Sequence, residues 1–317
     1  MVGSAIVRQL RVLPDVTILT RSRSELDLRD QKQVRAFFER ENPDHVYLAA
    51  AKVGGILANK QFPAEFILDN LLIEANVIEA ARQAQTRRLL FLASSCVYPS
   101  QAEQPIAEEV LLTGPLDPNT EPYAIAKIAG LKLCESYERQ YGQDLVTDYR
   151  CLVPSNVYGP GDNYNPDQSH VVAGLLQRCH EAKVQGLSSL ALWGTGKAAR
   201  EFLHVDDLAR ACVAVMHCSR EAYDSQTEPR RRYLNVGAGF DMTIDALAQM
   251  IAQVVGFEGR FEYDVTKPDG TMRKLLDSSR IRALGWEPVV RFQEGLQDMY
   301  QDFLARIVGQ SNPGMNA

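Results

Sequence analysis

The stretch LLFLASSCVY at residues 89–98 carries the strongest indication of fold in this chain. It opens with five apolar residues, and two hydroxyl side chains, Ser94 and Ser95, follow at once. A short continuous apolar run of this kind is typical of a strand buried on both faces of a parallel sheet. Side chains just beyond such a strand lie at the carboxyl edge of the sheet, where open α/β sheets bind their ligands.

Outward from this strand, short β-rich runs alternate with helical patterns. Strands are predicted at residues 16–20, 45–50, 89–93 and within 145–153, and helices from residue 30, over 63–82 and over 120–141. Asp30 and Thr120 are favourable N-cap residues, and Gly142 is a favourable residue just past a helix end. The alternation predicts a doubly wound, Rossmann-type α/β fold with helices on both faces of a parallel sheet.

The second half of the chain differs in composition. Beyond Pro154 glycine and proline become frequent, which marks a boundary or a binding loop. We therefore expect residues 1–157, joined by 204–240, to form a dinucleotide-binding domain. Residues 158–317 are expected to form mainly a smaller, C-terminal substrate-binding lobe.

Composition and charge narrow the class of function. The 317 residues carry 34 Lys and Arg against 40 Asp and Glu, a net charge of −6, so the chain lacks the basic footprint of a nucleic-acid-binding protein. Six cysteines without CxxC spacing and five scattered histidines favour free thiols and no metal site. The longest apolar stretch, residues 89–97, is too short to span a bilayer. We expect a cytoplasmic protein with no membrane, metal or nucleic-acid partner.

The first residues, MVGSA, depart from the expected fold. A dinucleotide-binding domain usually begins with a strand and a glycine-rich turn whose N–H groups hold the pyrophosphate. Gly3 resembles the last glycine of that turn, so we expect the first strand and the earlier glycines to be absent from this sequence. Either the start was placed too late or the cofactor site is weakened, and the second case leaves a non-catalytic binding protein as an alternative.

Tyr123 and Lys127 are the first pair that indicates chemistry. Residues four apart share one face of a helix, so the phenol and the ammonium can converge. A neighbouring cation favours the phenolate, and we therefore expect a lowered Tyr123 pKa that suits proton transfer. The alternative is a chance pair on the protein surface.

Arg21 and Arg23 indicate the choice of cofactor. NAD-selective folds usually place a carboxylate after the second strand, whereas an arginine there accommodates the 2′-phosphate of NADP. This chain has Thr-Arg-Ser-Arg at residues 20–23 and no carboxylate before Glu25. The pattern predicts a preference for NADPH, with a solvated basic loop as the alternative.

Six stretches, taken together, resemble the extended short-chain dehydrogenase/reductase family and, within it, the GDP-L-fucose synthases. They run through the chain in the same order as in that family: LAAAKVGG (48–55), SSCVYP (94–99), EPYAIAKIAG (121–130), SNVYGPGDNYNP (155–166), REFLHVDD (200–207) and KPDGTMRKLLD (267–277). The resemblance implies NADPH-dependent 3,5-epimerisation and 4-reduction of GDP-4-keto-6-deoxy-D-mannose to GDP-L-fucose. Another sugar-nucleotide epimerase or dehydratase with tightly held NAD is the alternative within the same class.

The resemblance also implies roles for single residues. Ser94, Tyr123 and Lys127 correspond to the reductive triad, Cys96 to the base of the epimerisation and His170 to its acid. Both of these residue types can titrate near neutrality. The alternatives without a chemical role are a small buried residue at a strand end for Cys96 and an ordinary loop residue for His170.

The remaining positions that the resemblance implies concern binding and assembly. The expected cofactor-binding residues are Gly3, Arg21, Arg23, Asp27, Leu28, Leu92, Ala93, Ser94, Ser95, Lys127, Pro154, Asn156, Val157 and His170. The expected substrate-binding residues are Arg178, Trp193, Arg200 and Asp269. A homodimer is expected as well, with the helices near 63–82 and 120–141 at its interface.

Overall fold

The computed structural model describes residues 1–144, 146–166, 168–267 and 269–311. The helices are α1 (Val2–Leu10), α2 (Gln31–Glu41), α3 (Ile56–Gln61), α4 (Pro63–Gln83), α5 (Glu121–Tyr141), α6 (Val171–Val184), α7 (Val205–His217), α8 (Arg220–Ser225), α9 (Ile244–Val255), α10 (Ser279–Ala283) and α11 (Phe292–Ser311). The strands are β1 (His45–Leu48), β2 (Arg88–Leu92), β3 (Asp148–Pro154), β4 (Asn156–Tyr158), β5 (Ser189–Trp193), β6 (Ala199–His204), β7 (Leu234–Val236), β8 (Asp241–Thr243), β9 (Arg260–Asp264) and β10 (Arg273–Lys274).

The main sheet has the order β1-β2-β3-β7, and all of its neighbouring strands are parallel. Leu89 and Phe91 of β2 join one buried cluster, whereas Leu90 and Leu92 join another. Successive side chains of a strand point to opposite faces, so β2 is covered on both sides. The fully apolar run of residues 89–93 is therefore explained, and the predicted doubly wound α/β fold is confirmed.

Helices pack on both faces of this sheet. One cluster joins the sheet to α2 through Val34 and to α4 through Ile78. The other joins it to α1 through Ile6 and to α7 through Leu208. Because every strand is parallel, the carboxyl ends of β1, β2 and β3 open on the same edge of the sheet.

The helix boundaries follow the local signals closely. Asp30 caps α2 and accepts hydrogen bonds from the backbone N–H groups of Lys32 and Gln33. Gly142 follows α5 with φ of 53°, a conformation that glycine adopts without strain. Thr120 precedes α5 as predicted, but its side chain makes no capping hydrogen bond.

The strand predicted at residues 16–20 is wrong. This segment belongs to no strand in the described chain, and Val16 and Leu19 are 42% and 40% exposed. A strand exists only through hydrogen bonds to a neighbouring strand, which an apolar pattern cannot supply by itself. Residues 16–20 instead line one wall of a wide groove, which β1 also lines.

A separate buried cluster lies in the second half of the chain. It combines residues of α6, α9 and α11, among them Leu176, Ile251 and Leu296. β5 pairs with β9, and β4, β6, β8 and β10 form a third small sheet. By contrast, α7 and β7 contribute Leu208 and Val236 to the cluster on the main sheet. None of the helices in the described ranges combines the length and the apolar character needed to cross a bilayer.

Candidate active site

The carboxyl edge of the main sheet opens into a groove of about 2290 Å³. Ser94 and Cys96 reach it from the end of β2, and Tyr123 and Lys127 reach it from α5. His170, at the start of α6, lines the same groove. The fold thus brings all five predicted catalytic residues to one cavity.

Ser94 and Tyr123 form the polar centre of this cavity. Ser94 caps a single 3-10 turn, Ser95–Val97, and its Oγ accepts a hydrogen bond from the backbone N–H of Cys96 at 3.4 Å. The same side chain also acts on Tyr123, where it opposes the rise in pKa that burial imposes on the phenol. The short turn after β2 therefore places a hydroxyl and a thiol at the groove, and α5 brings the phenol of Tyr123 to the same groove.

Lys127 is fixed by three neighbours beneath Tyr123. Its Nζ donates a hydrogen bond to the carbonyl oxygen of Leu92 at 3.0 Å, and it lies 4.9 Å from the centre of the Phe91 ring. It also lies 3.0 Å from Oε1 of Glu74, a carboxylate on α4. Both charged side chains are buried, so the pair is held away from the screening of water.

The expectation of a lowered Tyr123 pKa is wrong for this structure. Burial raises the pKa of Tyr123, and the neighbouring Cys96 and Glu74 raise it further, while the hydrogen bond to Ser94 opposes them. The positive charge of Lys127 is matched by Glu74, so it does not favour the phenolate as a lone cation would. Tyr123 is accordingly kept protonated, which suits a proton donor.

Arg200 approaches the site from β6. Burial lowers the pKa of Arg200, and the charges of Asp117, Cys96 and Asp269 act in the opposite direction. Arg200, Asp117 and Cys96 all line the groove. Asp117 also accepts a hydrogen bond from the Thr271 hydroxyl at 3.4 Å, so the site carries a cation and an anion side by side.

His170 is exposed and is positioned through its backbone neighbours. The loop before it is tied to the start of α3, where Gly55 N–H donates to the carbonyl oxygen of Gln168 at 3.0 Å. A Cβ atom at Gly55 would lie 2.6 Å from the carbonyl oxygen of Ser169. This contact explains why the sequence has glycine at residue 55.

The predicted cofactor end of the groove contains a free cation. Arg21 is engaged with Glu41 and with the carbonyl oxygen of Thr20. Arg23 is exposed, and no hydrogen bond or ion pair engages it among the described residues. Asp27 is held by Arg29, whose hydrogen bonds keep the pKa of that carboxyl far below its usual range.

Most predicted binding residues line the groove, and a few do not. Those that line it are Gly3, Arg21, Arg23, Asp27, Leu28, Leu92, Ala93, Ser94, Lys127, Pro154, Asn156, Val157, His170 and Arg200. Ser95 is buried within the turn that follows β2, and Arg178, Trp193 and Asp269 also lie outside the lining. Arg178 donates to the carbonyl oxygen of Ala191, and Asp269 accepts hydrogen bonds from the N–H and hydroxyl of Thr195 at 2.7 and 2.9 Å.

A family model described as the NAD dependent epimerase/dehydratase family matches residues 1–230. The chain belongs to this family. A GDP-L-fucose synthase of Escherichia coli (strain K12) is 54% identical to it over 304 residues, which are 96% of this chain and 94% of that protein. The resemblance that the six sequence stretches indicate is thereby confirmed.

Solved structures of this epimerase/dehydratase type agree with the fold. A GDP-6-OMe-4-keto-L-xylo-heptose reductase from C. jejuni has a TM-score of 0.89 at 32% identity and covers 96% of this chain and 95% of that one. A GDP-D-glycero-L-gluco-heptose synthase from Campylobacter jejuni, solved in the presence of NADPH, has a TM-score of 0.84 at 32% identity with the same coverage.

Sequence reasoning missed three residues of the site: Glu74, Lys52 and Asp117. Glu74 had a usable signal, because it falls on the buried stripe of α4 together with Asn70 and Ile78. A charged residue on such a stripe needs a partner. Lys52 and Asp117 lie in loops and line the groove, and no periodic pattern distinguishes them from surface charges.

Proposed function

We propose that the chain is a GDP-L-fucose synthase that uses NADPH to epimerise GDP-4-keto-6-deoxy-D-mannose at C3 and C5 and to reduce it at C4. The observation that carries the proposal is that one groove is lined by all five predicted catalytic residues, Ser94, Cys96, Tyr123, Lys127 and His170. The fucose synthase relative at 54% identity supports the same conclusion. The residue roles below are part of the proposal.

The reductive half belongs to Ser94, Tyr123 and Lys127. NADPH, when bound, supplies a hydride to C4. Tyr123 gives its proton to the C4 oxygen, and Ser94, which lines the same groove, stabilises the developing negative charge by a hydrogen bond. Lys127 is held below by Leu92 and Glu74 and presents its remaining N–H to the bound cofactor.

The epimerising half belongs to Cys96 and His170. The C4 ketone acidifies the protons on C3 and C5, so a base on one face of the ring can remove one of them and an acid on the other face can return it. Cys96 lies beside Tyr123 at the end of β2, and His170 approaches from the start of α6. The two therefore reach the groove from separate elements, as an exchange between two faces requires.

The described residues fit NADPH. Arg23 offers an unpaired guanidinium beside Asp27, whose pKa its charge helps to lower. Arginine suits a 2′-phosphate because its planar fork makes charge-assisted hydrogen bonds. The first turn of α1, including Gly3, also lines the groove without a side-chain cap, so its N–H groups are available to an anion.

The substrate end lies between β5, β6 and α6, where we place the GDP group against Arg178, Trp193 and Arg200. Trp193 is exposed and has Lys267 near its ring, a surface on which a planar base can stack. Asp269 acts differently, through its hydrogen bonds to Thr195, by shaping the turn next to Trp193.

We propose residues 1–157 with 204–240 as the dinucleotide-binding domain and 158–317 as mainly the substrate-binding lobe, and the separate buried cluster of α6, α9 and α11 supports this division. Leu276, Ile281 and Trp286 belong instead to the clusters on the main sheet.

A homodimer is part of the proposal. α4 and α5 pack side by side, and Leu68, Leu72 and Ile125 on them are exposed apolar side chains. Apolar side chains of this size gain free energy when a second copy covers them. We expect sedimentation analysis to give a dimer that Leu72→Arg with Ile125→Arg converts to a monomer.

The six unpaired cysteines further suit the reducing cytoplasm in which we place the protein.

The decisive experiment mixes the purified chain with NADPH and GDP-4-keto-6-deoxy-D-mannose. We expect NADPH absorbance to fall and nuclear magnetic resonance to identify GDP-L-fucose. A chain that binds both compounds without oxidising NADPH would be a binding protein instead. Release of tightly held NAD on denaturation would favour the other epimerases and dehydratases of the family.

A further inference from the structure

The buried pair of Glu74 and Lys127 is not required by the fold of the main sheet. Glu74 is 2% exposed and Lys127 is 3% exposed, and their charged atoms lie 3.0 Å apart. Oε1 of Glu74 is ion-paired with Lys127, but neither carboxylate oxygen has a hydrogen-bond partner in the described part of the chain. An ionised carboxylate without full hydrogen bonding is costly to bury, so an apolar residue would serve packing alone better.

Space for this carboxylate is provided by a glycine inside α5. A Cβ atom at Gly130 would lie 2.8 Å from Oε2 of Glu74, and it would also collide with the Phe91 ring. Glycine inside a helix costs about 0.5–1 kcal/mol relative to alanine, so its presence here has a packing reason. α4 and α5 are thus shaped to admit Glu74 against the helix that carries Tyr123.

The groups that respond to the charge of Glu74 all lie on α5. Lys127 attracts it, and burial raises the pKa values of Tyr123 and Cys134, to which Glu74 adds a smaller contribution. The strand below, β2, presents the Phe91 ring and the Leu92 carbonyl oxygen to Lys127. Glu74 therefore acts on the site chiefly by matching the charge of Lys127.

We propose that Glu74 is a positioning residue for the reductive step: its carboxylate holds the Lys127 ammonium in place and, by matching its charge, keeps the Tyr123 hydroxyl protonated until the substrate oxygen takes the proton. The inference rests on the proposed function, because it concerns the proton donor of that reaction. Glu74 itself touches neither the substrate nor the cofactor in this scheme.

The direction of the effect follows from the charges. In Glu74→Gln the Lys127 ammonium has no counter-ion, so it stabilises the Tyr123 phenolate and lowers the pKa of the phenol. Reduction needs the protonated phenol, so activity is lost at a lower pH than in the wild type. A merely structural role would lower the rate at every pH without moving this alkaline limit.

The test measures NADPH oxidation by the holoenzyme with GDP-4-keto-6-deoxy-D-mannose as a function of pH. We expect the alkaline limit of kcat to fall by about one pH unit or more in Glu74→Gln, as for a charge change within a few ångströms. Glu74→Asp, which keeps the carboxylate, is expected to restore much of the wild-type limit. Glu79→Gln is the matched control, because Glu79 also lies on α4 but pairs with Arg82 and Tyr137.

A second measurement does not depend on activity. Burial raises the pKa of Glu74 to about 7 despite Lys127, and burial raises that of Glu201 to about 7 as well. Carbon-13 resonance spectra of protein labelled at the glutamate carboxyl carbons should show both titrations. Lys127→Met removes the counter-ion, so it should move the Glu74 midpoint to higher pH and leave the Glu201 midpoint unchanged.

The outcomes separate this inference from the proposed function. A wild type that binds but never oxidises NADPH with the keto-sugar contradicts the function, and the resonance titration then decides the Glu74 pairing by itself. If the wild type is active and Glu74→Gln loses activity at the same alkaline pH as the wild type, the inference is overturned. If Glu74→Gln does not fold, an unmoved Glu74 midpoint in Lys127→Met overturns it.

Discussion

Arg21 donates a hydrogen bond from Nη2 to Oε1 of Glu41 over 2.9 Å, and its guanidinium also lies 5.3 Å from the centre of the Phe37 ring. Two residues further on, Arg23 makes no such contact with any described residue and faces the groove. Binding a phosphate with Arg21 would require breaking an existing ion pair, whereas Arg23 is available at once. The structure thus separates two arginines that the sequence pattern treats alike.

The first prediction concerns cofactor selection. Arg23→Asp replaces the free cation with a carboxylate that repels a 2′-phosphate, and the lost charge-assisted hydrogen bond is worth roughly 1.5–3 kcal/mol. NADPH affinity should fall about tenfold or more, while NADH affinity changes little. Fluorescence titration with both cofactors measures the effect. Arg21→Asp is the matched control, and a larger loss in that variant than in Arg23→Asp would reverse the assignment.

The second prediction separates the two halves of the reaction. Cys96→Ser should suppress exchange of the C3 and C5 protons with solvent deuterium, because a serine hydroxyl is a far weaker base than a thiolate. His170→Gln should have a similar effect, since proton return on the opposite face is lost. Mass spectrometry of recovered substrate gives the exchange directly.

Tyr123→Phe is the matched control for this experiment. It lacks the proton donor of the reduction, so NADPH oxidation should collapse while deuterium exchange continues. Exchange that is unchanged in both Cys96→Ser and His170→Gln would disprove their acid–base roles.

The third prediction concerns stability and pH. Glu201 is fully buried and accepts hydrogen bonds from the N–H groups of Gly239 and Leu276 at 2.7 and 3.0 Å. Burial raises its pKa from the ordinary 4.5 to about 7. The folded state therefore binds more protons than the unfolded state between these values, and the free energy of unfolding falls as the pH rises through them, by on the order of 3 kcal/mol.

Urea unfolding at about pH 5 and about pH 8 tests this slope. Glu201→Gln removes the titrating group, so its free energy of unfolding should depend less on pH, although it should be lower at both values because one N–H group loses its acceptor. Equal slopes in the wild type and the variant would show that Glu201 does not titrate in this range.

Local signals were sufficient for most of the fold. The apolar residues of β2 alternate between two buried clusters, and the cap at Asp30 and the glycine at Gly142 mark helix ends within a residue or two. These features depend on neighbours in sequence, which a pattern records. The position of Ser94 and Cys96 at the cavity follows from the same reasoning, because a parallel strand determines where its carboxyl end lies.

Features that depend on distant residues were not predictable in this way. Residues 16–20 have the composition of a strand, but whether they pair depends on another segment. The Tyr123 pKa was expected to be lowered by Lys127 and is raised, chiefly because the phenol is buried, while Cys96 and a carboxylate on a different helix, Glu74, raise it further. A local motif gives the residue types at a site, whereas its electrostatics depend on what the fold packs against it.

The fourth prediction concerns the contact that positions His170. Gly55 N–H binds the carbonyl oxygen of Gln168, and a Cβ atom at residue 55 would lie 2.6 Å from the carbonyl oxygen of Ser169. The φ angle of Gly55 is −64°, which alanine adopts without strain. The only obstacle to alanine is therefore the close contact of its Cβ atom with the Ser169 carbonyl oxygen. In Gly55→Ala the loop must therefore move by several tenths of an ångström and carry His170 with it.

Misplacement of a reacting group by about 1 Å can cost as much as a hundredfold in rate, so epimerisation in Gly55→Ala should fall by about tenfold or more. NADPH affinity should fall much less than epimerisation, because His170 is one of many expected cofactor-binding residues and Arg23 lies elsewhere in the groove. Lys60→Ala, an exposed substitution in the last turn of α3, is the control and should leave both quantities alone. Deuterium exchange and cofactor titration on the same preparations measure the two effects. Wild-type exchange in a folded Gly55→Ala protein would show that the loop yields without displacing His170, and the positioning argument would then fail.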